Sequence, residues 1–213
     1  MAREPMPDFE WTDLAGAHIL PGRKGGVPYM AFEYALKQAG LDTENDVLLD
    51  NSVQFDMMTG AFLGGTGDYV TMFEPAASSV EAEGKGYIVA SVGEAAGEIP
   101  YTAYFAKKSY LEENADLIQS FTNALQKGMD YVQNHSPEEI AQVISPQFPE
   151  TDMDTLTTIV NRYYEQDTWK ENLVFEKDSF ELLQDILESA GELEKRVDYE
   201  QLITTEFAKS AYF

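Results

Sequence analysis

The sequence predicts an α/β fold, with a mostly parallel sheet in residues 1–97 and a helical segment in residues 98–213. Short runs rich in β-branched and aromatic residues alternate with helical patterns over residues 16–97. Strands that are separated by helices need right-handed crossovers, which place the strands parallel and cover both faces of the sheet. After Gly97 the apolar residues recur almost wholly at helical spacing, so the two parts are expected to differ in class.

The first strand, loop and helix are predicted from residues 18–40. The apolar run at residues 18–20 stops at a turn-forming stretch, residues 21–26. Pro28 suits the first turn of the following helix, because the missing N–H costs nothing there. Apolar residues at helical spacing follow from Phe32, and Gly40 stands where a C-terminal cap belongs.

Three further strands are expected in the same part of the chain, with a helix between each pair. The first of these helices has Phe55, Met58 and Phe62 on one face. The second helix is short and covers about residues 76–83. The strands are predicted at residues 47–49, 69–73 and 87–92.

The part from residue 98 onward is predicted to begin with an extended run and to continue as helices. Asn114 can cap a long helix whose apolar stripe includes Leu117 and Phe121. Ser136 and Glu139 have the spacing of a capping box, with Pro at the first helical position. The extended run is residues 99–106, and two more helices are expected around residues 153–163 and 180–190.

The charge excludes several classes of partner. The chain has 213 residues, of which 38 are acidic and 14 basic, so the formal charge is −24. Such a chain repels nucleic-acid phosphates and anionic membrane surfaces. Because 44% of the residues are hydrophobic, the chain can bury a core and is not a disordered acidic segment.

The residues that usually carry catalysis are scarce. The absence of Cys excludes disulfides, thiolate zinc sites and cysteine nucleophiles. The two histidines, His18 and His135, have no second ligand at metal spacing, and no nucleophile motif is present. We therefore expect no catalytic residue, no metal site and no cofactor, and the sequence predicts that the protein is not an enzyme.

The Gly-rich loop at residues 21–28 is the first candidate binding element. It follows a strand and opens a helix, so unpaired backbone N–H groups and a positive dipole point outward. Gly25, Gly26 and Val27 would offer main-chain groups to a polar or anionic ligand edge, and Arg23 adds positive charge beside Lys24. The alternative is a purely structural strand-to-helix turn.

Glu74 is the second candidate, because it follows the predicted strand at residues 69–73. Ligands of open parallel sheets bind beyond the carboxyl ends of the strands. A carboxylate there can accept hydrogen bonds from an amino-bearing ligand. The alternative is an acid that stabilises the dipole of the next helix.

Several short motifs follow one another in a fixed order along the chain. They are DLAG at residues 13–16, PGRKGGVP at 21–28, AGLD at 39–42, FLGGTGDY at 62–69, FEP at 73–75 and YLEEN at 110–114. This ordered set resembles periplasmic-type substrate-binding proteins of ABC importers. The most similar group is SsuA/THI5-like, which includes binding proteins for aliphatic sulfonates, nitrate and the pyrimidine precursor of thiamine. His18 and Arg23-Lys24 depart from the commonest forms of these motifs.

The resemblance implies a two-lobed clamshell of the type II periplasmic-binding-protein fold. Residues 1–97 would be lobe two, and residues 98–213 the return crossover and the C-terminal helices of an incomplete lobe one. The chain would then start at the crossover into lobe two. The lobe-one helices are expected to bury their apolar stripes against a partner chain, as a homo-oligomer or by domain swapping, or to leave them partly exposed.

The function implied by the resemblance is that of the solute-binding component of an ABC import system. A small organic ligand, a thiamine-precursor pyrimidine, a sulfonate or a similar molecule, would bind in an interlobe cleft without covalent chemistry. The partner would be a membrane permease, and the location would be extracytoplasmic, periplasmic or lipid-anchored, with the leader absent from this chain. The expected aromatic walls of the site are Tyr29, Phe55, Tyr69, Phe73 and Tyr101.

Two alternatives stay open at this point. One is an enzyme on the same fold that is related to thiamine-pyrimidine synthesis. Such enzymes resemble this group but carry a Cys-rich motif and use His as a reactant, and this chain has no Cys and two poorly placed histidines. The other is a non-catalytic acidic interaction module.

Overall fold

In the computed structural model, which describes residues 1–211, three short strands form one parallel sheet. The strands are β1 (His18–Leu20), β2 (Leu48–Leu49) and β3 (Tyr69–Val70), in the order β2-β1-β3. Helix α1 (Val27–Gln38) connects β1 to β2, and helix α2 (Met58–Leu63) lies between β2 and β3. Each connection is a strand–helix–strand crossover, so the predicted α/β class is confirmed.

The central strand sends its side chains into two separate cores. Successive residues of a strand point to opposite faces of the sheet. Ile19 is buried against Phe32 and Leu36 of α1, whereas Leu20 is buried against Phe62 of α2 and against β3. Helices therefore cover both faces of the sheet, which explains why the consecutive residues Ile19 and Leu20 of β1 are both apolar.

The ends of α1 follow the signals in the sequence. Gly26 is the N-cap with extended backbone angles, and Pro28 lies in the first turn. Gly40 follows the helix with φ +84°, a left-handed conformation that favours glycine. The N–H of Leu41 donates to the carbonyl of Leu36 at 3.0 Å, which satisfies a carbonyl that the helix end leaves open.

The fourth predicted strand, residues 87–92, is wrong, because another segment occupies the edge of β3. Ala2 forms isolated antiparallel bridges with both Tyr69 and Tyr87. The Tyr87 N–H donates to the Ala2 carbonyl at 2.9 Å, and the Ala2 N–H donates to the Tyr87 carbonyl at 2.8 Å. Tyr87 is thus separated from the sheet by the start of the chain, and from Val92 the backbone is helical.

The third strand is shorter than the predicted residues 69–73. The Thr71 N–H still donates to the Leu20 carbonyl at 3.0 Å, but β1 ends there. The next residue of the central strand is Pro21, which has no N–H to continue the ladder. Residues 71–75 consequently leave the sheet as a loop.

Arg3 anchors the start of the chain to the end of α2. Its guanidinium donates to the carbonyls of Phe62, Thr66 and Gly67 at 2.6–3.0 Å. The same group lies 4.3 Å from the centroid of the Phe62 ring. A cation at a helix C-terminus satisfies open carbonyls and interacts favourably with the dipole, so this segment is part of the fold.

Residues 182–195 complete the packing around α1. Ile186 is fully buried against Tyr29 and Met30 of α1, together with Ala96. Lys37 donates to the carbonyl of Ser189 at 2.8 Å. The remaining helical segments of residues 1–99 are α3 (Ala76–Ala82), α4 (Val92–Ala96) and the 3₁₀ turns Trp11–Leu14 and Phe55–Met57.

Beyond residue 100 the described chain is helical, as predicted. The Ser136 Oγ accepts from the Glu139 N–H at 3.3 Å, and the Glu139 carboxylate accepts from the Ser136 N–H at 2.9 Å, so the capping box is confirmed. The helices are α5 (Lys108–Glu113), α6 (Ala115–Asn134), α7 (Pro137–Ile144), α8 (Met153–Glu165), α9 (Lys177–Ser189), α10 (Tyr199–Leu202) and α11 (Glu206–Ser210), with a 3₁₀ turn at Ser145–Gln147.

Helices α7 and α8 enclose the core of this part of the chain. Ile140 and Ala141 pack against Leu156 and Val160, and the Trp169 ring borders the same cluster. The apolar faces that the sequence pattern predicts for these two helices are therefore the faces that pack against each other.

The predicted stripe of α6 is only partly covered within the described chain. Leu117 is 58% exposed and Phe121 is 44% exposed. Residues 101–106 form no helix or strand and are exposed throughout, although the Tyr104 ring packs edge-on against Phe121 of α6 at 5.0 Å. That a partner chain covers these surfaces stays a prediction.

Contacts divide the described chain into two units. Unit 1 comprises Met1–Ile99 and Leu182–Lys195, and unit 2 comprises Pro100–Glu181 with the described residues from Arg196 on. The assignment of residues 1–97 and 98–213 to two lobes of a clamshell stays a prediction. Within residues 1–211, no helix combines the length and apolarity needed to span a bilayer.

Candidate functional site

The loops that follow the three strands of unit 1 meet at one edge of the sheet. They are residues 21–26 after β1, 50–54 after β2 and 71–75 after β3. The Asn51 side-chain amide donates to the Gly22 carbonyl at 2.8 Å, which ties the first two loops together. The carboxyl edge of a parallel sheet is the usual place for a ligand in α/β proteins, so this loop edge is the candidate site.

A small cavity at this edge, called here the aromatic cavity, brings together three of the predicted site residues. The rings of Phe55 and Phe73 are 5.6 Å apart at an angle of 57°, and the side chains are 49% and 41% exposed. Glu74 lies in the same wall. The cavity measures about 210 Å³, and its lining includes Phe55, Asp56, Thr59, Thr71, Phe73 and Glu74.

Glu74 is bonded to the helix that follows it. Its carboxylate oxygens accept from the Ser78 N–H and from the Ser78 hydroxyl, both at 2.9 Å. This contact matches the structural alternative considered for Glu74.

The Gly-rich loop has the backbone that its glycines predict. Gly22 and Gly25 have φ values of +94° and +76°, in the left-handed region that L side chains rarely adopt. Arg23 and Lys24 are exposed and form no ion pair with another described residue. The loop therefore presents two cations at the start of α1.

A larger cavity, called here the flank cavity, lies along α1 and includes two other predicted residues, Gly25 and Tyr29. It measures about 430 Å³ and is separate from the aromatic cavity. The predicted site is thus divided between two cavities of unit 1. The flank cavity is lined by α1, residues 24–25, residues 42–44 and residues 188–192.

The other predicted residues line neither cavity. Arg23 is exposed, and Gly26 and Val27 are half-buried at the helix start. The Tyr69 hydroxyl donates to the Met6 sulfur at 3.4 Å. Tyr101 belongs to unit 2 and is 58% exposed. Their roles in binding stay predictions.

The sequence analysis missed several polar residues of the loop edge. Thr71 and Asp56 line the aromatic cavity, and Asn51 joins two loops. Asp50 follows β2 and accepts two bonds from Ser52, while His18 Nε2 lies 3.0 Å away. The available signal for Asp50 and Asn51 was their position directly after the predicted strand at residues 47–49, which is where α/β sites form. Thr71 falls inside a predicted strand and Asp56 inside a predicted helix, so neither carried that signal.

The electrostatics of the two cavities are mainly acidic. Near them, at the loop edge, Asp50 lines neither cavity; the hydroxyl and N–H of Ser52, followed by His18, lower its pKa to about 2, so this carboxylate stays charged. Among the described residues, the lining of the aromatic cavity includes two carboxylates and no basic side chain. His18 and His135 line neither cavity. The arrangement offers aromatic faces and hydrogen-bond acceptors, which are the components of a non-covalent binding site.

Three comparisons with known proteins bear on this arrangement. The model of the NMT1-like family matches residues 19–145, which include β2, β3, all of β1 except His18, and the loop edge. The chain belongs to the NMT1-like family. This family lies within the SsuA/THI5-like group that the ordered motifs resemble, so the resemblance is confirmed at that level.

The NMT1-like chain is also similar to longer proteins. It is 41% identical over 209 residues to YtlA of Bacillus subtilis (strain 168), a protein that is provisionally named a binding protein. The match covers 98% of this chain and 63% of YtlA, so the chain spans less than two thirds of that relative's length.

A solved structure shares the fold. A protein from Bordetella bronchiseptica RB50 matches 99% of the NMT1-like chain and 68% of its own, with a TM-score of 0.68 and 20% identity. At 20% identity this similarity bears on the fold alone, and it is consistent with the predicted type II fold.

Proposed function

We propose that the protein is a solute-binding component of an ABC import system and that it binds a small, flat, amine-bearing ring in the aromatic cavity. The observation that carries this proposal is the pairing of Phe55 and Phe73 at the carboxyl edge of the sheet. Half-exposed aromatic faces beside a few polar groups suit a heteroaromatic ring. The family and the provisional name of YtlA support a binding role.

The charge of the aromatic cavity favours one of the ligand classes that the family resemblance suggests. Asp56 and Glu74 contribute carboxylates, and no basic side chain of the described residues lines the cavity. A sulfonate or nitrate would be repelled there, whereas an amino group can donate to the carboxylates. An aminopyrimidine therefore fits better than an anion.

The cavity is small, as expected if it forms only one wall of a two-walled ligand cleft. Its volume of about 210 Å³ is below the roughly 300–1,000 Å³ that is typical of ligand pockets. The second wall of the cleft that the family resemblance implies stays a prediction. Delivery to a membrane permease and an extracytoplasmic location belong to the same proposal, and loss of solute uptake on gene deletion would test them.

Calorimetric titration with 4-amino-2-methylpyrimidine and with methanesulfonate tests the ligand class. We expect saturable binding of the pyrimidine alone. Phe73→Ala should weaken it about tenfold, because the ring loses one aromatic face. Leu63→Ala is the matched control, since Leu63 is also 41% exposed and lies outside both cavities. Its affinity should match that of the unmodified chain.

Two results would count against the proposal. Binding of methanesulfonate without the pyrimidine would contradict the ligand class. Equal weakening of pyrimidine binding by Phe73→Ala and by Leu63→Ala would show that the aromatic cavity is not where the ring binds.

A further inference from the structure

The flank cavity contains a hydroxyl group that the fold does not use. Tyr29 is only 5% exposed and lines the cavity, yet its hydroxyl makes no hydrogen bond to another described residue. Among the described residues, Gln126 Oε1 is the one buried side-chain polar atom without a partner, so the Tyr29 hydroxyl keeps contact with solvent at the cavity, where a ligand can reach it. Burial, and then the charge of Glu33, raises the pKa of Tyr29, so the phenol keeps its proton and can both donate and accept.

The charges around this hydroxyl favour a cation. In the described chain, five carboxylates and two lysines line the cavity. One of the lysines, Lys37, is already engaged, since its Nζ donates to the Ser189 carbonyl and lies 3.6 Å from Glu33. Glu33 also accepts from the Thr43 hydroxyl at 3.2 Å. The excess of negative charge attracts a positively charged group.

Glu192 provides a carboxylate that other described residues do not bind. Its Oε1 lies 3.4 Å from the position that a Cβ on Gly25 would take, and it forms no hydrogen bond or ion pair with another described residue. The start of α1 therefore already has an acid beside it, which disfavours an anionic ligand at this place. Because Gly25 has no side chain, the space next to Glu192 stays open.

We propose that the flank cavity binds a small organic amine, with the Tyr29 hydroxyl and the Glu192 carboxylate as its polar anchors. Its volume of about 430 Å³ falls within the range of small-molecule sites. This second site is independent of the aromatic cavity, because the two cavities share no lining residue. The proposal can therefore fail while the proposed function holds, and the reverse is also true.

Titration of 1,4-diaminobutane into the 213-residue chain at low ionic strength tests this proposal. We expect saturable binding that added salt weakens. Tyr29→Phe keeps the packed ring and removes only the hydroxyl, and Glu192→Gln keeps the shape and removes the charge. Each should weaken binding about tenfold, the effect of one hydrogen bond to a charged group.

A third variant distinguishes binding from a general loss of structure. Lys24 lines the cavity and has no ion-pair partner among the described residues, so Lys24→Gln should strengthen amine binding by removing a like charge. Phe73→Ala, in the aromatic cavity, should leave diamine affinity unchanged.

Three outcomes would overturn the proposal. The first is the absence of saturable binding by the unmodified chain. The second is unchanged affinity in both Tyr29→Phe and Glu192→Gln. The third is a loss of diamine affinity in Lys24→Gln as large as the loss in Glu192→Gln. Removing a positive charge and removing a negative charge from a cation site must have opposite effects on that affinity.

Discussion

Asp50 shows how a single carboxylate becomes tied to the loop edge. Its Oδ1 accepts from the Ser52 hydroxyl at 2.6 Å and from the Ser52 N–H at 2.9 Å. Its Oδ2 lies 3.0 Å from His18 Nε2. These contacts lower the pKa to about 2 from the ordinary value of 3.8. Since the folded chain holds the charged form more strongly, Asp50 stabilises the fold above pH 4, and this stabilisation is lost as the pH falls through about 2.

Asp50→Asn should lower the free energy of unfolding by about 1 kcal/mol at pH 6. The difference from the unmodified chain should shrink between pH 4 and pH 2, because the protonated Asp50 and Asn are then both neutral. Urea unfolding at pH 6, 4 and 2.5 measures this change. Asp56→Asn is the control, since Asp56 makes no hydrogen bond to another described residue. A difference that is constant with pH would contradict the prediction.

Glu74 illustrates what sequence can settle about one residue. Its position after a strand allowed both a ligand contact and a role at the next helix, and Ser78 shows that the second contact exists. Asp56 and Thr71 were missed because each reaches the aromatic cavity only after two separate loops have folded together. The spacing of residues within one segment contains no information on which loops come together in the fold.

At the scale of single elements, the start of α7 was predictable because all of its signals are local. Ser136, Pro137 and Glu139 lie within four residues of one another, and their bonds close the first turn. A capping box satisfies N–H groups that the helix leaves without partners.

Ser136→Ala should destabilise the fold by about 1 kcal/mol, because it leaves the Glu139 N–H without its acceptor. Ser120→Ala is the matched control. The Ser120 hydroxyl donates to the Asp116 carbonyl inside α6, and such a bond competes with the helix instead of capping it. Thermal unfolding of both variants measures the difference, and equal losses would argue against the capping box as the cause.

The fourth strand shows where element prediction failed. Residues 87–92 have strand-like composition, but a strand also needs a partner along its backbone. Ala2 lies between β3 and Tyr87 and takes the hydrogen bonds that the predicted strand would have formed. Ala2 and Tyr87 are 85 positions apart in the sequence, and the pattern of one segment does not reveal so distant a competitor.

At the scale of the whole molecule, residues 182–195 join unit 1 although they follow unit 2 in the chain. Ile186 is fully buried in a cluster with Tyr29 and Met30. The core of unit 2 is separate and is centred on Leu156 and Val160. Each unit therefore has its own buried cluster.

Ile186→Ala and Leu156→Ala should each destabilise the fold by about 2–5 kcal/mol, because each removes a fully packed aliphatic side chain. Hydrogen exchange should locate the two effects differently. We expect Ile186→Ala to lower protection in α1, and Leu156→Ala to lower it in α7 and α8. Loss of protection in α7 and α8 by Ile186→Ala would contradict the division of the cores.

The sequence by itself determined the α/β class, the helix ends and the family, because these depend on local periodicity, capping residues and ordered motifs. The tertiary structure decided which strands pair, where residues 182–195 pack and how the predicted site residues divide between two cavities. These features depend on contacts between residues far apart in the chain. Such contacts form only when several elements bury their apolar faces together, so short-range patterns do not specify them.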